Sequence, residues 1–185
     1  MSERHDLTTM GLPLDLETWI AEHAEDLQPP VSNAQVWQDS QMTVMVVGGG
    51  NERTDFHDDP CPEFFHQLRG AMTLQVIDAP GEPPRELEIA AGQIFLLPPH
   101  VPHSPQRPDP DSVGLVVEYA RPAGQPDGFE WYCANCHERV HRTEVMLESI
   151  VDDLPPLFEA FYADLEARTC PHCGTVHPGR DVADA

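Results

Sequence analysis

The sequence predicts a mainly β chain, folded as a barrel or sandwich, with a small metal-stabilised segment containing a helix at its C-terminal end. Three observations predict it. Short runs rich in Val, Ile, Leu, Thr and Phe recur at even spacing from Gln35 to Tyr119, and many such runs in series close into a barrel or sandwich. Two histidine-bearing stretches, Arg53 to Gly70 and Gly92 to Arg107, answer each other across those runs. Two CxxC pairs follow, Cys133 with Cys136 and Cys170 with Cys173, a strong signal for a tetrahedral sulfur site.

Each element has its own signal. Residues 1–12 read as a loose tail, and Asp15 caps a helix running to about Leu27, with Leu16, Trp19, Ile20, His23 and Leu27 on one stripe and Pro29-Pro30 as its stop. From Gln35 the strand-like runs are QVWQD, MTVMVV, TDFHD, FFHQLR, AMTLQVID, RELEIA, IFLLPP and VGLVVEYA, with turns at Gly48–Gly50 and at residues 80–84. After Arg121, PAGQPDG reads as a linker, so the expected division is 1–121 for the barrel with its N-terminal helix and 122–185 for the four-cysteine segment. Between the cysteine pairs, Leu154 to Ala167 reads as a helix with Leu157, Phe158, Phe161 and Leu165 on its apolar stripe. Iron or zinc fits the four thiols, and a segment this small gains folding free energy from its metal. A structural role is therefore expected, with His137, His141, His172 and His177 surplus to the four-thiolate set.

His57 and Glu63 lie six residues apart, and His103 closes an apolar run through a proline-rich turn. The two stretches thus supply two imidazoles and one carboxylate, a ligand set for non-heme Fe(II). Alternation along a strand puts Arg53, Asp55 and His57 on one face, Pro60 and Pro62 bend the chain before Glu63, and His103 shares a face with Arg107. The expected metal is flanked by two cations. One histidine among ten says little; the joint spacing, H-x-D-x3-E-x6-G with G-x5-P-x-H-x2-H-x3-R, says more. Glu118 lies among Val and Leu in VGLVVEYA, where a carboxylate inside a barrel is costly unless partnered; a solvent-facing edge strand is the alternative.

These two patterns resemble the paired motifs of the cupin superfamily, which implies a double-stranded β-helix, or jelly-roll barrel. Three positions depart from it: Asp59 stands where a second histidine is usual, His100 replaces a glycine and Arg107 an asparagine. The leading glycine is also missing. Three protein ligands in place of four leave three open positions on an octahedral iron, with Asp59 either a fourth ligand or a residue behind the ligands. RTDFHDDPCPEFFHQLRG, IFLLPPHVPHSPQRP and GFEWYCANC together are similar to the bacterial 3-hydroxyanthranilate 3,4-dioxygenases, over a span from about Trp19 to Arg180. CPHCG resembles a rubredoxin knuckle, and Cys61, expected to be packed, departs from the family pattern.

The resemblance implies Fe(II) on His57, Glu63 and His103, with Arg53, Arg107 and Glu118 around the substrate and Glu63 also in contact with it. It implies ring opening of 3-hydroxyanthranilate by O2 to 2-amino-3-carboxymuconate semialdehyde, on the way to quinolinate and NAD. The hydroxyl and amino groups would chelate the iron. Arg107, assisted by Arg53, would hold the ring carboxylate, unless Arg53 points at oxygen; Glu118 would accept a hydrogen bond and relay a proton. A homodimer is implied as well. Two other readings stand beside this one: a cupin dioxygenase for another aminophenol or catechol carboxylate, and a non-enzymatic, metal-dependent binding module.

Composition bounds these readings. A chain of 185 residues suits one principal domain and a small appendage. It holds no apolar run near ~20 residues, which excludes a membrane-spanning helix. MSERHDLTTM has no apolar signal core, and cysteines spaced for metal point to a reducing compartment, so a cytoplasmic location is expected. The net charge of −22 argues against nucleic acid and anionic membrane as partners. All ten basic residues are arginine, and an anionic substrate needs local cations. Arg53 and Arg107 are read as those cations; Arg85, Arg121 and Arg180 are read as solvated.

Overall fold

Two antiparallel sheets enclose one core in the computed structural model, which describes residues 11–29, 32–37, 40, 42–51, 53–147 and 150–179. The first sheet runs β1 (Asn33–Gln35), β2 (Met42–Val47), β9 (Val113–Tyr119), β4 (Glu63–Arg69), β7 (Ile94–Leu97). The second runs β11 (Arg139–Val145), β10 (Asp127–Tyr132), β3 (Phe56–Asp58), β8 (His103–Gln106), β5 (Ala71–Val76), β6 (Arg85–Ala90). Chain neighbours sit in opposite sheets wherever the strand order crosses over, which makes the arrangement a cupin-like jelly roll.

Alternation does the sorting. In β4 and β5 every second residue is buried, and Phe65, Met72, Leu74, Val76, Ile89, Leu97, Met45 and Val116 from both sheets meet in one cluster. On the outer face of the first sheet, Val46 and Val113 pack against Trp19, Ile20 and Leu27. Those last three belong to α1 (Leu16–Glu22) and the turns after it; Asp15 caps the helix by accepting from the Thr18 N–H at 2.8 Å. The helix ends one turn earlier than the sequence stripe predicts, yet Leu27 still reaches the core.

Two strands escape sequence expectation, and a third is only implied by it. β8, HSPQ, contains a proline and no apolar residue and is expected only through the face that His103 shares with Arg107; β10 and β11 carry several charged residues. Glu130, 2% exposed, accepts from Arg139 at 2.7 Å and Arg142 at 2.5 Å, and Tyr132 donates to it as well. Charge paired in this way lets a fully buried strand hold a glutamate. Because β10 pairs with β3 in the register Phe129↔His57, the second sheet runs through the division expected after Arg121. β1 begins two residues before Gln35 and ends there, leaving Trp37 half exposed outside it. The helix expected over Leu154 to Ala167 is two helices, α2 (Ile150–Ala163) and α3 (Leu165–Arg168). Asp164 breaks them and caps α3, accepting from Glu166 and Ala167. Residues 1–10 of the N-terminal tail, Pro30 and Arg180 lie outside the described residues.

Gly49 lies where the loop before Arg53 crosses the loop after Arg107: an added Cβ would stand 1.9 Å from the Asp109 carbonyl oxygen and 3.1 Å from Ser112 Cβ. Gly49→Ala is expected to destabilise the fold by about 1–3 kcal/mol, read as a lower urea midpoint at unchanged slope.

Candidate metal centre and active site

The strand registers bring the chemistry together. β3 pairs with β8 at His57↔His103, and β4 pairs with β9 at Glu63↔Glu118, so each sheet contributes a facing pair. One ligand atom from each of His57, Glu63 and His103 lies within 4.8 Å of the others. His103 donates its Nδ1–H to the Val101 carbonyl at 2.9 Å, which leaves the Nε2 lone pair facing Glu63 Oε2 at 2.6 Å. Glu63 Oε2 is buried with no hydrogen-bond donor among the described residues. A proton or a cation must stand between two such electron-pair donors. Burial pushes Glu63 up and His103 down, yet their mutual attraction wins in both, holding the carboxyl below and the imidazole above its ordinary value. His57 is tied by its other side: Nε2 donates to Asp127 Oδ1 at 2.7 Å, leaving Nδ1 as a lone-pair donor. Phe129 stacks on the His57 ring at 4.9 Å. Two imidazoles and a carboxylate held in this way fit a divalent iron.

Around them opens a cavity of about 370 Å³, lined by Arg53, Arg107, Glu118 and Arg121 as well as the three ligands, with Phe65 and Val116 on the barrel side and Leu154, Phe158 and Tyr162 of α2 forming one wall. The four-cysteine segment is thus also part of the pocket. The size suits a single aromatic ring with its substituents.

The arginines differ in what they already hold. Arg53 is paired with Asp55, its Nε donating at 3.1 Å, and its backbone is clamped by Gln106, which accepts from the Arg53 N–H and donates to the Arg53 carbonyl, both at 3.0 Å. Arg121 grips three carboxylates: Asp127 at 2.8 Å, Asp59 at 3.1 Å, and Glu118. Its side chain is 13% exposed, so it is not the solvated arginine that the sequence suggests. Arg107 is 1% exposed and meets no carboxylate among the described residues. Its Nη1 donates to the neutral Gln67 Oε1 at 2.8 Å and Ser112 Oγ at 3.2 Å, while Nε is buried without a partner. Burial pulls Arg107 down to about 10, still a full cation at neutral pH.

Glu118 is 5% exposed. Burial first, then the Glu63 charge, pushes its carboxyl up to about 8 against the pull of Arg121. Asp59 lies beside the ligand trio, with a ligand atom within 4.8 Å of one on His57 and of one on Glu63, and is held by other partners: Oδ1 accepts from the Cys61 N–H at 2.6 Å and Oδ2 faces Arg121. Cys61 is buried at 5% exposure, as packing alone requires. Arg121, Asp127 and Asp55 are site residues that the sequence reading missed. The signal for Arg121 was its place three residues beyond a strand-buried glutamate.

The four cysteines make two matching knuckles. The Cys133 N–H donates to the Glu138 carbonyl and the His137 N–H to the Cys133 carbonyl, both at 2.9 Å. The Cys170 N–H donates to Thr175 at 2.8 Å and the Gly174 N–H to Cys170 at 2.9 Å. His137 and Gly174, each just after a second cysteine, share a left-handed φ of 60° and 76°. Sulfur separations of 3.5 Å for Cys133 to Cys173 and 3.6 Å for Cys136 to Cys170 approach the edge, roughly 3.8 Å, of a tetrahedron with ~2.3 Å metal–sulfur bonds. All four thiols are free, and the donor set fits zinc or iron.

A jelly roll with two histidines and a glutamate converging on one cavity defines a metal-dependent cupin of the kind that activates oxygen. The family model for 3-hydroxyanthranilic acid dioxygenase matches residues 9–162. The 3-hydroxyanthranilate 3,4-dioxygenase of Burkholderia cenocepacia is 57% identical over 175 residues, covering 94% of this chain and 97% of that one. The same-named protein of Paraburkholderia phytofirmans is 58% identical over 177 residues, 95% and 100% of the two chains. Among solved structures, a cupin-2 domain containing protein from Shewanella frigidimarina matches with a TM-score of 0.43 at 14% identity, over 58% of this chain and 100% of that one. The chain belongs to the 3-hydroxyanthranilate 3,4-dioxygenase family.

The two metal sites should separate on mutation. His103→Ala is expected to lose the cupin metal and keep a folded barrel, whereas Cys136→Ser should lower Tm first and leave the cupin metal in place. Metal content per chain and thermal unfolding, measured on both variants, check this.

Proposed function

We propose that this protein is a non-heme Fe(II) dioxygenase that opens the ring of 3-hydroxyanthranilate with O2, giving 2-amino-3-carboxymuconate semialdehyde. The observation that carries the substrate assignment is Arg107, a buried guanidinium with no carboxylate bonded to it among the described residues, in the wall of the cavity that His57, Glu63 and His103 also line. Close relationship to the dioxygenases named above supports the reaction. When bound by His57, Glu63 and His103, Fe(II) supplies the electron path between ring and oxygen and holds both reactants in place.

The chain's own residues do the rest. Arg107 binds the ring carboxylate, a charge that a largely apolar cavity would otherwise reject. Arg53 is already neutralised by Asp55 and assists from the segment beside Arg107, where its backbone is bonded to Gln106. Glu118, opposite Glu63 in the sheet, hydrogen-bonds the substrate hydroxyl or amine, and with its carboxyl pushed up to about 8 it takes a proton only in the ionised form that grows as pH rises toward that value, with Arg121 fixing its position. Phe158 and the barrel residue Phe65 cover the ring and exclude water.

The four-cysteine site is read as structural, holding α2 against the cavity. The same reading makes the enzyme a cytoplasmic homodimer. The support for the homodimer is the family resemblance, and that for the cytoplasm the cysteines spaced for metal and free of disulfides.

2-Aminophenol keeps the hydroxyl and amine but lacks the carboxylate, so it is expected to be a far poorer substrate than 3-hydroxyanthranilate. Losing a charged hydrogen bond in a buried site costs about 1.5–3 kcal/mol, tenfold or more in kcat/KM. Arg107→Ala should therefore narrow the gap, measured as oxygen uptake after anaerobic Fe(II) loading. Equal slowing of both compounds would remove the carboxylate assignment. Glu118→Ala should keep its iron and lose at least about a hundredfold in kcat; iron loss would instead make Glu118 a ligand.

A further inference from the structure

Resting on the reading of Arg107 as the carboxylate anchor, we propose that Gln67, Ser112 and Gly114 are positioning residues that turn the Arg107 guanidinium side-on to the substrate and so set the preference for a carboxylated ring.

The cradle is built and neutral. Gln67 and Ser112 are 1% and 0% exposed. Gln67 Nε2 donates to the Arg69 carbonyl at 2.7 Å and to Ser112 Oγ at 2.9 Å. A carbonyl can only accept, so the amide orientation is fixed and Oε1 must be the atom facing Arg107. Ser112 in turn donates to the Ala71 carbonyl at 3.0 Å. Both acceptors therefore converge on Nη1 of Arg107, and among the described residues no hydrogen bond reaches Nε or Nη2.

Nε and Nη2 form one edge of the guanidinium, the edge that takes a carboxylate with two parallel hydrogen bonds. Elsewhere in this chain Arg85 uses that edge on Asp78, with both donors at 2.8 Å. Gly114 gives the group its room: a Cβ there would stand 2.4 Å from Nη2 and 2.9 Å from the carbon between the nitrogens. No cradle residue carries charge, so no carboxylate among the described residues hydrogen-bonds the cation, and Glu63 acts on it only through its field. A glutamate at position 67 would neutralise the cation.

The test compares Gln67→Glu, Ser112→Ala, Ser112→Thr, Gly114→Ala and Arg107→Ala, each loaded with Fe(II) under nitrogen. Dissociation constants for 3-hydroxyanthranilate and 2-aminophenol are titrated without oxygen, kcat and KM are measured with it, and iron per chain is counted. Gln67→Glu and Gly114→Ala should lower the affinity ratio of the two compounds about tenfold or more, through KM, with iron retained. Ser112→Ala should lower it less, and Ser112→Thr, which keeps the hydroxyl, should restore it.

An unchanged ratio in Gln67→Glu and Ser112→Ala, or equal weakening of both compounds, would overturn the inference. Those two variants decide the matter even where Gly114→Ala does not fold. If Arg107→Ala collapses the ratio and the cradle variants do not, the positioning role alone fails. If Arg107→Ala also leaves it unchanged, the anchor reading fails and the inference with it.

Discussion

The pairing of short, bent strands in one fixed register sets the positions on which the site depends. His57 faces His103 across β3 and β8, and Glu63 faces Glu118 across β4 and β9. A slip of one residue in either pair would send a ligand to the outer face of the barrel. The register is held from the far side of the ligands: Phe129 on β10 sits opposite His57 and stacks on its ring, while Phe64 and Phe65 stand opposite Val117 and Val116 next to Glu63 and Glu118. The aromatic and aliphatic packing of the barrel is therefore also what aims the metal ligands.

Charge inside the barrel is arranged unevenly. Asp55, Asp59, Glu63, Glu118 and Asp127 are all buried, and the arginines that meet them are Arg53 and Arg121. Arg121 ties Asp127, and through it His57, to Glu118, so one side chain links a metal ligand's support to a residue that would face the substrate. In the wall of the same cavity, Arg107 is hydrogen-bonded to neutral acceptors. The excess of carboxylates near the histidines suits a divalent cation, and the unspent cation beyond them suits an anionic substrate. A polarity of this kind orients a ring between the two sites.

Much of the barrel was legible in the sequence because β2, β4, β5, β6, β7 and β9 bury alternate apolar residues or sit in runs bounded by turn residues. β10 and β11 were not, since Glu130 and Arg142 look solvated in sequence and become partners only when the strands meet. β8 was obscured by its proline and histidine. For the site, spacing drew attention to His57, Glu63 and His103, and the structure brings them to one cavity with Arg53, Arg107 and Glu118. Arg121 reads as solvated in sequence and is in fact buried among carboxylates, because the neighbours that hold it are acquired only on folding. Gln67, Ser112 and Gly114 were invisible for the same reason: an amide, a hydroxyl and a missing Cβ carry no signature until a guanidinium lies among them.

The most direct measurement is a crystal structure of the Fe(II)-loaded protein with 3-hydroxyanthranilate, grown and frozen without oxygen. The account predicts both carboxylate oxygens on the Nε and Nη2 edge of Arg107 at about 2.7–2.9 Å, with hydroxyl and amine turned toward His57, Glu63 and His103. A carboxylate at the cavity mouth or on Arg53 alone, with Arg107 still bonded only to Gln67 and Ser112, would contradict it.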